Sequence, residues 1–300
     1  MLRVSLVSLV KIQRDQFKAA ILDSLKLIDY KFQPGVKRIV IKPNMCYYYD
    51  FSTGYTTDPE CVGGLIELLR EQLSSNPEIS IVESDASAMK CKYAFRMLGY
   101  EDLARRYDVD LVNLSEEECE TETVRVGRHS FDIGVPKLIR DADLRVNVTK
   151  IKYAMPRIKF TCGLKNIFGC NPYPKKFIYH GVLGEAIVGA NKAMKFGLSI
   201  LDGNIVFGAQ TRKLGLMMAS EDPVAFDSVA ARVAWIEPKS VAYLRLASRE
   251  GLGRMEFVSR GVPWEHFRSC FPRKGAMPRM KTLAFDMVSR MRLGSKLGLA

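Results

Sequence analysis

The sequence predicts an α/β fold with a largely parallel sheet flanked by helices. Three observations carry this. Strand-like and helix-like segments alternate through the first half, the strand-like runs are β-branched, and each ends abruptly in polar residues. The chain has 300 residues, 47% hydrophobic and 26% charged, enough for a sizeable core in one or two domains.

The elements follow in order. "RVSLVSLV" at the start alternates as a first strand, and residues 14–29 read as a helix. "RIVIKPN" (38–44) is a strand stopped by Lys-Pro-Asn. "TTDPECVGGLIELLREQL" (56–73) is a helix capped by Thr57 or Asp58, with Pro59 in its first turn. A strand at 79–83 precedes a helix over 91–107 and a strand at 110–114. Residues 121–134 alternate around Gly127 and predict an inserted hairpin. A short helix and a strand at 144–148 come next, then a helix at 184–196 and strands at 197–201 and 215–219. "SEDPVAFDSVAARVAW" (220–235) opens a helix with Ser220 as cap and Asp222 and Pro223 in the first turn. The expected division is an α/β domain over 1–272 and a tail over 273–300. In that tail Met280, Leu283, Ala284, Met287, Val288 and Met291 fall at helical spacing among basic residues. This spacing predicts a basic amphipathic C-terminal helix. It suits peripheral membrane contact through 278–293 or packing on the core.

The balance of 45 basic against 33 acidic residues gives +12 and favours anionic partners: a small molecule or cofactor, nucleic acid, or an acidic protein. Seven scattered cysteines with no CxxC exclude a zinc ribbon or ferredoxin-type loop and suit reduced thiols in a cytoplasm. No run reaches 18 apolar residues, so a soluble protein is expected. Walker, dinucleotide-type glycine loops and GxSxG are absent from the sequence. The three histidines are too scattered to assert a metal site.

In parallel α/β sheets ligands bind beyond the carboxyl ends of the strands. That rule selects Lys42 and Asn44, Glu83 and Asp85, Lys150 and Lys152, Asp202, and Asp222. The stretch from Leu144 to Gly184 holds eight lysines and arginines and no carboxylate, and it is closed by His180. Such a run needs counter-charge from the fold or from a bound anion. Inside it lies "TCGLKNIFGC" (161–170), where Lys165 and Asn166 stand between Gly163 and Gly169, glycines of the kind that permit close backbone approach.

"IKPN" (41–44), "TTDPE" (56–60), "GLKNIFG" (163–169), His180, "LDG" (201–203) and "ASEDPVAFDSVAA" (219–231) occur in that order. This ordered set resembles the DUF362 family over most of residues 1–255. The resemblance supports the α/β fold and implies little chemistry. One departure stands out: the family usually shows Lys-Thr-His after the strand matching 144–148, and here the equivalent is Lys152-Tyr153-Ala154. The layout is also distantly similar to lactate racemases, which hold a nickel-pincer cofactor with Lys and His residues.

The sequence thus predicts an anion or cofactor site at the strand ends. Lys42, Asn44, Thr57, Lys165, Asn166, Gly169 and Asp222 are the expected binding residues, and His180, Asp202 and Lys152 the expected catalytic ones. A cofactor- or metal-dependent oxidoreductase or isomerase fits this set. The identity of the cofactor is left open. The alternative is a non-catalytic basic protein contacting RNA, a ribosome or an acidic partner.

Overall fold

The computed structural model describes residues 4–156 and 158–275. The tail helix expected over 278–293 lies outside the described residues, as do Arg157 and the side chains of Phe177 and His180.

Twelve strands form among the described residues, and the central ones of the main sheet are buried on both faces, as strands covered by helices on both sides must be. They are β1 (Leu6–Lys11), β2 (Arg38–Lys42), β3 (Glu78–Glu83), β4 (Asp110–Asn113), β5 (Cys119–Val126), β6 (His129–Pro136), β7 (Leu144–Thr149), β8 (Lys152–Tyr153), β9 (Phe160–Thr161), β10 (Leu198–Phe207), β11 (Thr211–Ser220) and β12 (Val258–Gly261). The helices are α1 (Phe17–Leu27), α2 (Pro59–Gln72), α3 (Cys91–Met97), α4 (Tyr100–Tyr107), α5 (Lys137–Arg140), α6 (Gly163–Phe168), α7 (Leu183–Met194), α8 (Pro223–Val233), α9 (Ala242–Arg249) and α10 (Trp264–Cys270).

Eight strands form the main sheet in the order β12-β1-β11-β10-β7-β2-β3-β4. Every neighbouring pair is parallel except those made by β11, which runs antiparallel to both β1 and β10. One core cluster packs α1 to α4 on one face, around Ile21, Leu65, Ile66 and Leu103. A second packs α6 to α10 on the opposite face, around Leu164, Ile187, Phe226 and Leu244, and a third gathers Val40, Val124, Ile133 and Ile139 beneath the β5–β6 hairpin. The hairpin β5–β6 covers α7, and a Cβ on Gly189 of that helix would stand 3.3 Å from Val124.

Three expectations are corrected. The helix foreseen over 91–107 breaks at Gly99, whose φ of +80° ends α3 and lets α4 start afresh. The cap of α8 is Asp222, which accepts from the Val224 and Ala225 N–H groups, while Ser220 is the last residue of β11. Finally, β10 does not stop at Leu201. It pairs with β7 only as far as Leu201–Thr149, then continues with β11 to Phe207. Asp202 is therefore inside a strand, level with the carboxyl ends of its parallel neighbours.

Candidate functional site

The carboxyl ends of β2, β3, β7 and β10 lie side by side, and their polar residues sort into two layers. The inner layer is neutralised. Lys42 at the end of β2 meets Glu83 at the end of β3 at 2.7 Å, both almost fully buried, and also donates to the Pro43 carbonyl. Lys150, just past β7, meets Asp202 of β10 at 3.2 Å and donates to the Ile205 carbonyl at 2.7 Å. Asp202 is fully buried and accepts the Asp58 and Asn204 N–H groups at 2.8 and 3.1 Å. Its oxygens are therefore spent on holding the start of α2 to β10.

The outer layer is a relay of amides ending in lysine. Lys152 Nζ donates to Asn44 Oδ1 (2.6 Å) and the Tyr55 carbonyl (3.0 Å). Asn44 Nδ2 donates to Asn166 Oδ1, Asn166 Nδ2 donates to Asn147 Oδ1, each at 2.8 Å, and Asn147 Nδ2 donates to the Gly163 carbonyl at 3.0 Å. An ammonium only donates and a carbonyl only accepts, so the two ends fix the orientation of every amide between them. Lys176 approaches from the segment after α6, donating to Ser84 Oγ and, at 3.0 Å, to the Gly169 carbonyl.

Lys165 stands among these groups without a hydrogen-bond or ion-pair partner among the described residues. Its side chain is only partly exposed. Burial, then the nearby Lys152, pushes its pKa down to about 8, with Lys176 adding a smaller push in the same direction. Lys152 and Lys176 are shifted down as well, each chiefly by burial.

The glycines of "GLKNIFG" approach protein rather than open space. A Cβ on Gly163 would stand 3.0 Å from Asp227 Oδ1, and one on Gly169 would meet the Asn166 carbonyl at 2.8 Å and the Lys42 side chain at 3.4 Å. Asp227 was missed in the sequence. Its carboxylate accepts the Gly163 and Leu164 N–H groups at 2.7 and 3.2 Å and so fixes α6, while burial pushes its pKa up to about 7. An acid one turn inside a mostly apolar helix was the available signal.

The remaining expected residues separate. Thr57 is scaffold: its hydroxyl accepts from Asn44 N and donates to the Val148 carbonyl. Asp222 lies at the opposite pole of the sheet. Ser220 is level with Ser199 near the start of β10, and Asp222 is engaged there by Ser5 Oγ and Arg254 N besides its capping bonds. A Cβ on Gly253 would overlap its carboxylate at 2.0 Å. Its place in the binding set is a correction: β11 runs against its neighbours, so its carboxyl end points away from theirs. The side chain of His180 lies outside the described residues. A cavity of about 300 Å³, lined by Glu120, Arg140, Arg145 and Lys195 among others, lies beside β5 and is lined by none of Lys152, Lys165 and Lys176.

A family model described as a domain of unknown function, DUF362, matches residues 39–232. The chain belongs to the DUF362 family. In this DUF362 chain the family-like segments 41–44, 56–60, 163–169 and 201–203 all meet at the carboxyl edge of the sheet, and the last, 219–231, reaches it through Asp227. A thylakoid-associated protein of Synechocystis sp. is 28% identical over 234 residues, covering 73% of this chain and 70% of the relative. Among solved structures, the lactate racemase apoprotein of Thermoanaerobacterium thermosaccharolyticum matches with a TM-score of 0.46 and 12% identity. A Thermotoga maritima protein from a structural genomics programme matches with a TM-score of 0.42 and 15% identity. Each alignment covers 79% of this chain and 58% or 59% of the solved one, so the chain spans less than two thirds of either.

No three His, Cys, Asp or Glu side chains converge as a metal-binding group among the described residues. Cys162 and Cys170, at the two ends of α6, pack into different core clusters. The described donors at the site are ammonium and amide groups, the donor types that suit an anion. No helix among the described residues is long and apolar enough to cross a membrane.

Proposed function

We propose that this DUF362 protein binds an anionic small molecule or cofactor at the carboxyl edge of its sheet, with the acid group between Lys152, Lys165 and Lys176. The supporting observation is Lys165, a crowded cation without a partner among the described residues, on a helix that the fold fixes from both ends. Lys42 and Asp202 act one layer below, joined to the site through the strand ends. Asn44 and Asn166 orient Lys152 and serve the ligand through it. With its pKa near 8, Lys165 is also the described group best suited to exchange a proton with a bound ligand near neutral pH.

The test is calorimetric titration with inorganic pyrophosphate at low salt. The native chain should bind it, and Lys165→Ala should weaken binding about tenfold while leaving the thermal midpoint within a few degrees. Equal affinity in the native chain and the Lys165→Ala variant would overturn the reading. A basic chain that instead binds single-stranded RNA with a steep salt dependence, unaltered by Lys165→Ala, would move the function to polyanion binding by the surface.

A further inference from the structure

The loop that carries Asn44 into the site also carries aromatic rings. Among the described residues eight large hydrophobic side chains are exposed, and two of them, Tyr47 at 50% and Tyr49 at 51%, lie here. They begin a ladder: Tyr47 meets Tyr49 edge-on at 6.4 Å, Tyr49 lies 5.2 Å from Tyr55, and Tyr55 lies 4.7 Å from Phe207 of β10. The ladder is anchored. Gly54 at φ +82° packs so closely on β10 that a Cβ would stand 2.6 Å from the Val206 carbonyl carbon. The Tyr47 backbone is itself held at φ +55°, uncommon for a tyrosine.

The ladder and the lysines share a border. Lys152 Nζ bonds the Tyr55 carbonyl at 3.0 Å, and Tyr55 is the third ring of the ladder. Solvent gains nothing from two rings left half bare on a strained loop. A planar ring stacked on one of them would meet the other edge-on and gain contact area with both.

Resting on the anion-site reading above, we infer that the ligand is a planar heteroaromatic compound bearing a phosphate, of mononucleotide size, its ring in the corner between Tyr47 and Tyr49 and its phosphate among Lys152, Lys165 and Lys176. The lysines supply charge without shape. The tyrosines supply selection for a ring.

The experiment uses the full chain and three probes: flavin mononucleotide, adenosine 5′-monophosphate and ribose 5-phosphate, the last having no ring. At least one ring-bearing probe should bind about tenfold tighter than ribose 5-phosphate. Tyr47→Ala with Tyr49→Ala should remove that margin without weakening ribose 5-phosphate. The corresponding double Phe variant should keep it, and Lys165→Ala should weaken all three alike. Equal affinity of ring-bearing and ring-free probes, or a margin that survives the double Ala variant, overturns this inference. If ribose 5-phosphate still binds in a Lys165-dependent way, the anion reading stands without it. Failure of all three probes to bind overturns both.

Discussion

At the scale of single residues, the site turns on which lysines are already satisfied. Lys42 and Lys150 stand opposite Glu83 and Asp202 on adjacent strands, whereas Lys165 faces Lys152 and Lys176. Strand-end position made Lys42, Lys150 and Lys152 candidates in the sequence, while Lys176 stood out only as one of eight basic residues in its stretch. Only strand order separates them, because counter-charge comes from a neighbour 41 or 52 positions away. Lys165 and Asn166 were legible because flanking glycines mark a tight approach, although what they approach is the strand ends themselves. A titration follows from the depressed pKa. Lys165 loses its charge as pH rises through about 8, so pyrophosphate affinity should fall between pH 7 and roughly pH 9.5. Lys165→Arg, which stays protonated, should flatten that profile in calorimetry across the range. An unchanged slope in Lys165→Arg would assign the titration to another group.

At the scale of elements, the two buried ion pairs join neighbours: Lys42–Glu83 ties β2 to β3, and Lys150–Asp202 ties the segment after β7 to β10. Breaking one side leaves an uncompensated charge in the interior. Lys150→Met should cost about 3–5 kcal/mol in denaturant unfolding, and Lys150→Met with Asp202→Asn should recover much of it. A single variant as stable as the native chain would mean that Asp202 is satisfied by the Asp58 and Asn204 N–H groups alone. The start of α2 was legible as an Asp-Pro pair, whereas at α8 the same pair reads in the sequence as lying inside the first turn behind Ser220. The extent of β10 was not, since Asp-Gly-Asn reads as a turn until β11 is known to pair through it by a shifted register at Gly203–Ile205.

At the scale of the molecule, the alternation of segments announced a mostly parallel sheet, and the order of the strands stayed hidden because pairing over 100 or more positions leaves no local mark. The antiparallel β11 is the clearest case, and it is what carried Asp222 to the far pole. Stability should also carry a global pH signature. Burial holds Asp58 at about 6 and Asp227 at about 7, above the ordinary aspartate value. Between pH roughly 4 and 7 the folded chain therefore keeps protons that the unfolded chain releases, and stability falls as pH rises through that window. Urea midpoints at pH 5 and pH 7 should differ in that direction, and Asp227→Asn should shrink the difference. A midpoint that rises with pH would mean that other carboxylates dominate.

The placement of β1 has a consequence for biosynthesis. Both of its neighbours, β11 and β12, are made near the end of the described chain, and Ser8 waits 211 residues for Ala219. At about 5–20 residues per second, translation leaves the apolar run Leu6–Val10 without its partners for roughly 10–40 s. During that interval the nascent chain presents a sticky strand with two open edges, the kind of segment a ribosome-bound chaperone captures. A ribosome stalled before residue 211 should therefore carry a protease-sensitive N-terminus, and one stalled well beyond residue 261 a protected one.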